Sequence, residues 1–529
     1  MTVVEFGPSS DTDGAAERLA REELIKTQAD RLLEMQRDDG HIVFELEADS
    51  TIPSEYVLLQ HFLDEVDPAK EVKIAKYLKR IQNEDGSWPL FQDGDGDISA
   101  TIKSYWALKL TGEDIDAPHM AKAREWVLSR GGASKANVFT RIMLALFAQI
   151  PWRGVPVIPV EVMLLPKWFP FHMSKIAYWS RTVIAPLLIL CSLKAEARNP
   201  TGINIRELFV TPPEEEKVYN INPNGTFVGD CFLVLDKVLR FCEPAFPKGL
   251  RKRAVDFFTE RLNGVDGLGA IYPAMANSVM AYDLLGYPKD DPNLMIAKES
   301  IERLLVETDE ELYCQPCVSP VWDTCLASHA LMEAGLEAGD KELDGALDWL
   351  KDKQILDVVG DWAVRRPDVR PGGWAFQYNN DYYPDVDDTA VVAMAMHRTG
   401  KPEYNESIER AAEWVVGMQS SSGGWGAFEP ENEHFYLNSI PFADHGALLD
   451  PPTEDVTARC LSFLAQLDKD RFAKEIALGV KYLKRDQQDD GSWWGRWGAN
   501  YIYGTWSVLC ALNAVGEDMS APYVQRSVA

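Results

Sequence analysis

An all-α fold of the α/α barrel (toroid) kind is what this sequence predicts, and three observations carry the prediction. A Gln-Trp repeat recurs along the chain. The stretches between its copies have helical periodicity, and few stretches alternate as strands do. Glycine and proline turns join the helical stretches at short intervals, as stacked helical hairpins require. A plain helical solenoid shares these features, so the repeats argue fold and not activity.

The repeat reads Tyr77-Leu78-x3-Gln82-x3-Gly86-x-Trp88, then Trp414-Val415-x3-Gln419-x3-Gly423-x-Trp425, then Tyr482-Leu483-x3-Gln487-x3-Gly491-x-Trp493. A looser copy is Trp349-Leu350-x3-Gln354 followed, after a longer loop, by Gly360-x-Trp362. A decayed copy, Leu32-x3-Gln36-x3-Gly40, lacks both aromatics. The pattern places an aromatic-aliphatic pair on the last turns of an amphipathic helix, Gln on the same helix, and a glycine turn after it. The Gln amide can then bond backbone groups of a neighbouring turn, stitching successive helices. Thr389 to Met396, Val456 to Leu467 and Ile502 to Val515 read as dense buried helices.

The chain has 529 residues with 82 acidic against 53 basic, a net charge of −29 that repels phosphate and argues against nucleic acid as a partner. Its longest uncharged aliphatic run, Val183 to Cys191, holds Pro186 and falls well short of the ~20 residues a membrane span needs. Met1 to Glu17 is polar and acidic, unlike a secretory signal. Scattered cysteines suit reduced thiols better than a disulfide framework.

The sharpest local feature is Asp385-Val386-Asp387-Asp388-Thr389-Ala390, which follows Tyr382-Tyr383-Pro384 and opens an apolar helix. One aspartate there can cap the helix, but capping does not require three. Crowded carboxylates resist joint ionisation, so the cluster can present a neutral acid at pH 7.

With that motif, the repeats and the flanks Ser319-Pro320-Val321-Trp322-Asp323-Thr324, Gly372-Gly373-Trp374-Ala375-Phe376-Gln377 and Gly495-Arg496-Trp497-Gly498-Ala499-Asn500-Tyr501, the sequence resembles the class II terpene cyclases, specifically the squalene-hopene cyclase family. The resemblance runs in order along nearly the whole chain, and it implies two α/α barrel (toroid) domains: a terminal segment at 1–20, one barrel over 21–315 that carries a membrane-facing helix, and a second, catalytic barrel over 316–529. It implies a proton-initiated cyclisation of squalene to hopene and hopanol, an isomerase of hopanoid biosynthesis with no cofactor and no metal. Asp387 would donate the proton with Asp385 and Asp388 as partners, supported by Asp455 and Arg459. Trp179, Trp322, Phe376, Phe428, Trp497 and Tyr503 would stabilise the carbocation through their ring faces, though any one alone could be core packing. Ile176, Ile184, Phe442 and Ala443 correspond to the substrate entrance, and Glu55, Ile271, Tyr272 and Pro273 to the polar end of the cavity.

The match departs from the family pattern at several positions. Arg459 stands where a histidine supports the acid; it can stabilise the carboxylate by charge-assisted bonds but cannot relay a proton. Lys103 replaces a glutamate, Tyr272 a glutamine, Ala443 a cysteine and Phe428 a tyrosine.

The resemblance further implies a monotopic enzyme on the cytoplasmic side of a bacterial membrane, and admits a homodimer. Phe227, Cys231, Phe232, Leu235, Val238, Leu239 and Cys242 fall on one helical face beside Lys248, Arg251, Lys252 and Arg253, a pattern that suits a lipid surface. A helix docked on its own core would show the same stripe. Asp93 to Asp97 lacks the later ligands of a calcium loop, and Cys314-x2-Cys317 lacks a second metal-binding pair. The aspartate-rich pattern of metal-dependent terpene synthases fails at Val391. The competing classes are an inverting glycoside hydrolase on an α/α barrel, which also uses paired carboxylates, and a catalytically deficient relic or lipid-binding toroid. From Trp322 onward about eight helices are legible where a closed barrel uses about twelve, so the expectation is a catalytic barrel incomplete at the C-terminus.

Overall fold

The computed structural model describes residues 11–222, 224–243, 250–444 and 446–528, with side chains described from residue 17 onward. One repeat shows how the sequence folds locally. Asp67 caps α3 (Pro68–Arg80), accepting from the N–H of Ala69 at 2.9 Å, and Pro68 presets the first turn. Ile74, Tyr77 and Leu78 bury one face of that helix. Gln82 lies two residues beyond the last helical residue, not on the helix as the pattern suggested. Its Nε2 donates to the Gly86 carbonyl at 2.8 Å and to the His119 carbonyl at 3.2 Å, in the first turn of α5 (Pro118–Ser129). Gly86 has φ +92°, and a Cβ there would come within 2.6 Å of Lys122, so the turn demands glycine. Trp88 is fully buried and donates from Nε1 to the Leu78 carbonyl at 2.8 Å.

The other copies repeat these bonds and thread the outer helices together. Gln419 donates to Gly423 (2.8 Å) and Glu475 (3.0 Å), joining α15 (Asn405–Gly417) to α17 (Ala473–Asp486). Gln487 donates to Gly491 (2.9 Å) and Tyr523 (2.8 Å), joining α17 to α19 (Pro522–Val528). Gln354 joins α13 (Lys341–Asp352) to α15 through Ser407 (2.9 Å), and its glycine partner is Gly372 at 2.8 Å. The indole completing this copy is therefore Trp374, whose Nε1 donates to Leu350 at 2.6 Å, and not the expected Trp362. Even the decayed copy works: Gln36 donates to Gly40 (2.7 Å) and Glu342 (2.8 Å), tying α1 (Asp11–Glu34) to α13. The boundary expected at residue 20 thus falls inside a helix, and that helix docks beside α12 (Pro320–Glu333).

Inside this outer layer, the amino-terminal body packs α4 (Ile98–Leu110), α2 (Thr51–Leu63), α10 (Tyr272–Leu284) and α7 (Tyr178–Leu193) in that order. α6 (Val138–Leu146), α9 (Arg251–Glu260) and α11 (Pro292–Glu302) flank them, and α8 (Phe227–Cys242) lies at the surface. A short antiparallel pair, β1 (Leu305–Glu307) and β2 (Leu312–Cys314), registers Val306 opposite Tyr313. The carboxy-terminal body packs α12, α14 (Val386–Thr399), α16 (Glu454–Asp468) and α18 (Asn500–Val515). α14 and α16 are buried as expected, but α18 is not buried all round: Ile502 is 85% exposed, and Tyr501 and Trp506 are exposed with it.

Two hydrophobic cores result, one for each body, and they interlock. Tyr178 at the start of α7 joins the second core, while Leu437, Phe442, Ala443, Leu448 and Leu449 join the first. The candidate site sits on this exchange.

Candidate active site

The aspartate motif is built on the repeat's own helix start. In the first repeat Asp97 caps α4, its N–H reaches the Trp88 carbonyl (2.9 Å), and Thr101 four residues on accepts from the Trp88 N–H (3.0 Å). Asp385 and Thr389 repeat this around Trp374, with the matching bonds at 2.7 and 3.0 Å. Asp385 is therefore the cap: its Oδ1 accepts from the N–H groups of Asp387 (2.7 Å) and Asp388 (3.3 Å). Asp387 and Asp388 then occupy the first turn of α14 with their side chains buried.

Burial dominates their electrostatics. It pushes Asp387 up to about 7; Arg459 pulls against this and Asp455 adds to it. Asp385 and Asp388 are also raised well above the usual range, by burial and then by repulsion within the trio. The crowding and burial favour the protonated form across the cluster, the condition under which a carboxyl can act as a general acid. Among the described residues, Asp387 Oδ1 and Asp388 Oδ1 have no hydrogen-bond partner.

α16 supplies the opposing wall. Arg459 Nε faces Asp387 Oδ1 at 4.0 Å, an ion pair beyond hydrogen-bond reach, so the expected charge-assisted bond is not made. Its Nη2 instead donates to the Tyr503 hydroxyl at 2.8 Å. Its guanidinium carbon lies 5.4 Å from the Trp322 ring, 5.7 Å from Tyr503 and 5.1 Å from Trp506. Asp455 braces α16 and the next loop, accepting from the N–H of Val456 (3.0 Å) and of Trp497 (2.8 Å). Trp497 meets Trp179 at 5.8 Å and Phe428 at 6.0 Å, and those two rings meet at 5.9 Å, so the three aromatics form an edge-to-face triangle. The structure thus gathers Asp385, Asp387, Asp388, Asp455, Arg459, Trp322, Tyr503, Trp497, Phe428 and Trp179 into one linked group. Phe376 lies half-buried on the loop after Trp374.

The remaining expected positions form two separate places. Ile176, Ile184 and Phe442 line an apolar cavity of about 410 Å³ together with Phe232, Leu235 and Leu239 of α8. Ala443 is buried next to Phe442 in the chain. Three of the seven residues of the surface stripe expected on α8 therefore line this cavity. Outward lie Phe227 (82% exposed), Val238, Cys231 and Cys242 of that stripe, with Val234 and Phe241 (88% exposed) beside them. Lys248 lies outside the described residues. In the second place, Lys103 Nζ pairs with Glu55 Oε1 at 2.5 Å, both largely buried. Tyr272, with Ile271 before it and Pro273 after it at the start of α10, is fully buried, and its hydroxyl has no partner among the described residues.

Four positions packed around the site were not anticipated. Tyr178 stacks on Tyr383, ring centroids 4.5 Å apart. Asp450 accepts from the N–H groups of Ala427 (3.2 Å), Phe428 (2.8 Å) and Glu429 (3.2 Å), which fixes the Phe428 loop. Arg181 and Glu429 form a buried ion pair. A lone arginine in the otherwise apolar stretch of α7 was the available signal.

The chain matches the family model for the squalene-hopene cyclase N-terminal domain over residues 25–310 and that for the C-terminal domain over 318–529. It belongs to the squalene-hopene cyclase family. A squalene–hopene cyclase of Bradyrhizobium diazoefficiens is 55% identical over 520 residues, covering 96% of this chain and 78% of that protein. One from Zymomonas mobilis is 55% identical over 529 residues, covering 96% and 79%. One from Alicyclobacillus acidocaldarius is 40% identical over 495 residues, covering 92% and 77%. Among the described residues no group of three or more His, Cys, Asp or Glu is disposed to hold a metal ion, and no helix is long and apolar enough to cross a membrane.

Proposed function

We propose that this chain is a class II triterpene cyclase that converts squalene to hopene and hopanol. The observation that carries the reading is a buried acid, Asp387, whose carboxyl is pushed up to about 7 and which faces Arg459, a guanidinium bordered by the rings of Trp322, Tyr503 and Trp506. Its proton adds to the terminal alkene, whose π pair becomes the new C–H bond and leaves a tertiary cation; the π pair of the next alkene then closes the first ring bond and passes the positive charge down the polyene. The carboxylate left behind faces the Arg459 guanidinium at 4.0 Å, so the enzyme's new negative charge has a cation in place. Trp322, Trp179, Phe428, Trp497, Phe376 and Tyr503 offer ring faces to the moving cation without a lone pair that would quench it readily. The last cation loses a proton, or takes water, at the end marked by Glu55, Ile271, Tyr272 and Pro273. There Lys103 ties down the Glu55 carboxylate. The experiment is incubation with squalene in detergent and gas chromatography of the extract. Pentacyclic products support the reading, and unchanged squalene sinks it.

Squalene is insoluble in water, so the substrate must arrive from a lipid phase. The apolar cavity bearing Ile176, Ile184 and Phe442 is walled by α8, whose other side presents Phe227, Val234, Val238 and Phe241 to the outside. Leu164 and the 75%-exposed Trp168 add to this surface. Such a face supports monotopic attachment, with the cavity leading from the acyl layer. Eight free cysteines favour the reducing, cytoplasmic side.

A further inference from the structure

Three parts of the site, distant in sequence, meet at one buried cation. Arg181 on α7 is 2% exposed. Its Nη1 donates to the Ile176 carbonyl (2.8 Å), beside the apolar cavity, and to Glu429 Oε2 (3.0 Å). Its Nη2 donates to Glu429 Oε1, and its Nε faces Asp361 Oδ2 at 3.3 Å. Glu429 follows Phe428 in the chain, and Asp450 grips both backbone N–H groups. Asp361 accepts from the Tyr383 hydroxyl at 2.9 Å and from Arg261 Nη2 at 2.7 Å. Tyr383 lies two residues before the capping Asp385.

Two guanidiniums therefore face two carboxylates, all well buried. Burial pushes Asp361 up, but Arg181 and Arg261 outweigh it and hold the group below the usual range, so it is charged. Ion pairs buried this way contribute little net stability over apolar packing. What they do supply is fixed geometry, and each carboxylate here leads to a different working part.

We propose that Arg181 is a positioning residue with two separable arms. The Glu429 arm sets the Phe428 ring where the cation passes. The Asp361–Tyr383 arm sets the helix start that delivers the proton. This rests on the cyclase reading of the same site.

The test uses full-chain Glu429→Gln and Asp361→Asn, near-isosteric changes that each release one arm, with Arg181→Lys releasing both. Squalene turnover, product distribution and affinity for protonated N,N-dimethyldodecylamine, a mimic of the cation, are measured for each. Glu429→Gln is expected to raise the fraction of incompletely cyclised products and weaken amine binding several-fold. Asp361→Asn is expected to cut turnover by about 10- to 100-fold, the usual effect of a misplaced reacting group, with product ratio and amine affinity kept. Arg181→Lys shows both defects, and stands in for either variant that does not fold. Equal losses in the two single-arm variants with an unchanged product ratio would overturn the proposal. If the parent chain makes no cyclised product, the cyclase reading fails on its own. Amine affinity then decides: loss confined to Glu429→Gln supports the two arms, and equal affinity in both variants refutes them.

Discussion

Asp387→Asn removes a titrating proton while keeping the side chain's size, so it should end turnover and yet stabilise the fold at high pH. Burial, opposed by Arg459 and aided by Asp455, holds Asp387 at about 7 where an ordinary aspartate titrates near 3.8. Between those pH values the folded chain keeps a proton that the unfolded chain has released. The stability linked to this group is therefore complete below about pH 4 and is lost as pH rises through 7. At 1.36 kcal/mol per pH unit, the gap is worth roughly 4 kcal/mol. Asparagine has nothing to ionise, so the variant escapes that loss. The attraction of Arg459 acts only on the ionised carboxylate and is already contained in the Asp387 value of about 7, so its loss in the variant adds no separate cost. Thermal midpoints of parent and variant, compared from pH 4 to 8, should therefore diverge in the variant's favour by several degrees, at about 2–4 °C per kcal/mol for a domain of 150–250 residues. A difference that stays flat with pH, or turns against the variant as pH rises, would refute the buried neutral acid.

Arg459→Gln removes the pull that lowers Asp387, so Asp387 should keep its proton to higher pH, and the alkaline limb of the pH–rate profile should move up from about 7. Gln419→Ala breaks bonds to Gly423 and Glu475 at 2.8 and 3.0 Å and should cost about 1–3 kcal/mol in denaturant unfolding. Val238→Glu with Phe241→Glu changes only outward residues of α8, so vesicle flotation should be lost while the thermal midpoint holds. Phe232→Glu places a charge in the apolar cavity, against Phe171 at 5.6 Å, and should lower the midpoint as well.

The repeats and the acid were legible because their signals are local. A helix stripe, a glycine at φ +92° and a buried indole lie within about a dozen residues of one another, and so do the cap and its threonine. What escaped depends on contacts between distant segments. Arg181 and Glu429 are 248 residues apart, and nothing near either announces the other. Trp362 and Trp374 both follow a glycine at the right spacing, and only the partner chosen by Gln354 separates them. The apolar residues of α8 divide between cavity and exterior, a division that helical periodicity does not encode when both sides are apolar. The same holds for α18, whose Ile502 and Trp506 read as core and lie exposed. Arg459 sits where the motif placed it, but its hydrogen bond goes to Tyr503, a choice set by the spacing of α16 and α18.

The most direct measurement is the fate of one proton. Squalene is incubated with the full chain in deuterated buffer, and the pentacyclic product is examined by mass spectrometry and NMR. Delivery from Asp387, which exchanges with solvent between turnovers, predicts one deuterium on the ring carbon that began as the terminal alkene of squalene, with no labelled product from Asp387→Asn. Cyclised product without deuterium at that carbon, or labelled product from the asparagine variant at the parent's rate, would contradict proton transfer from Asp387.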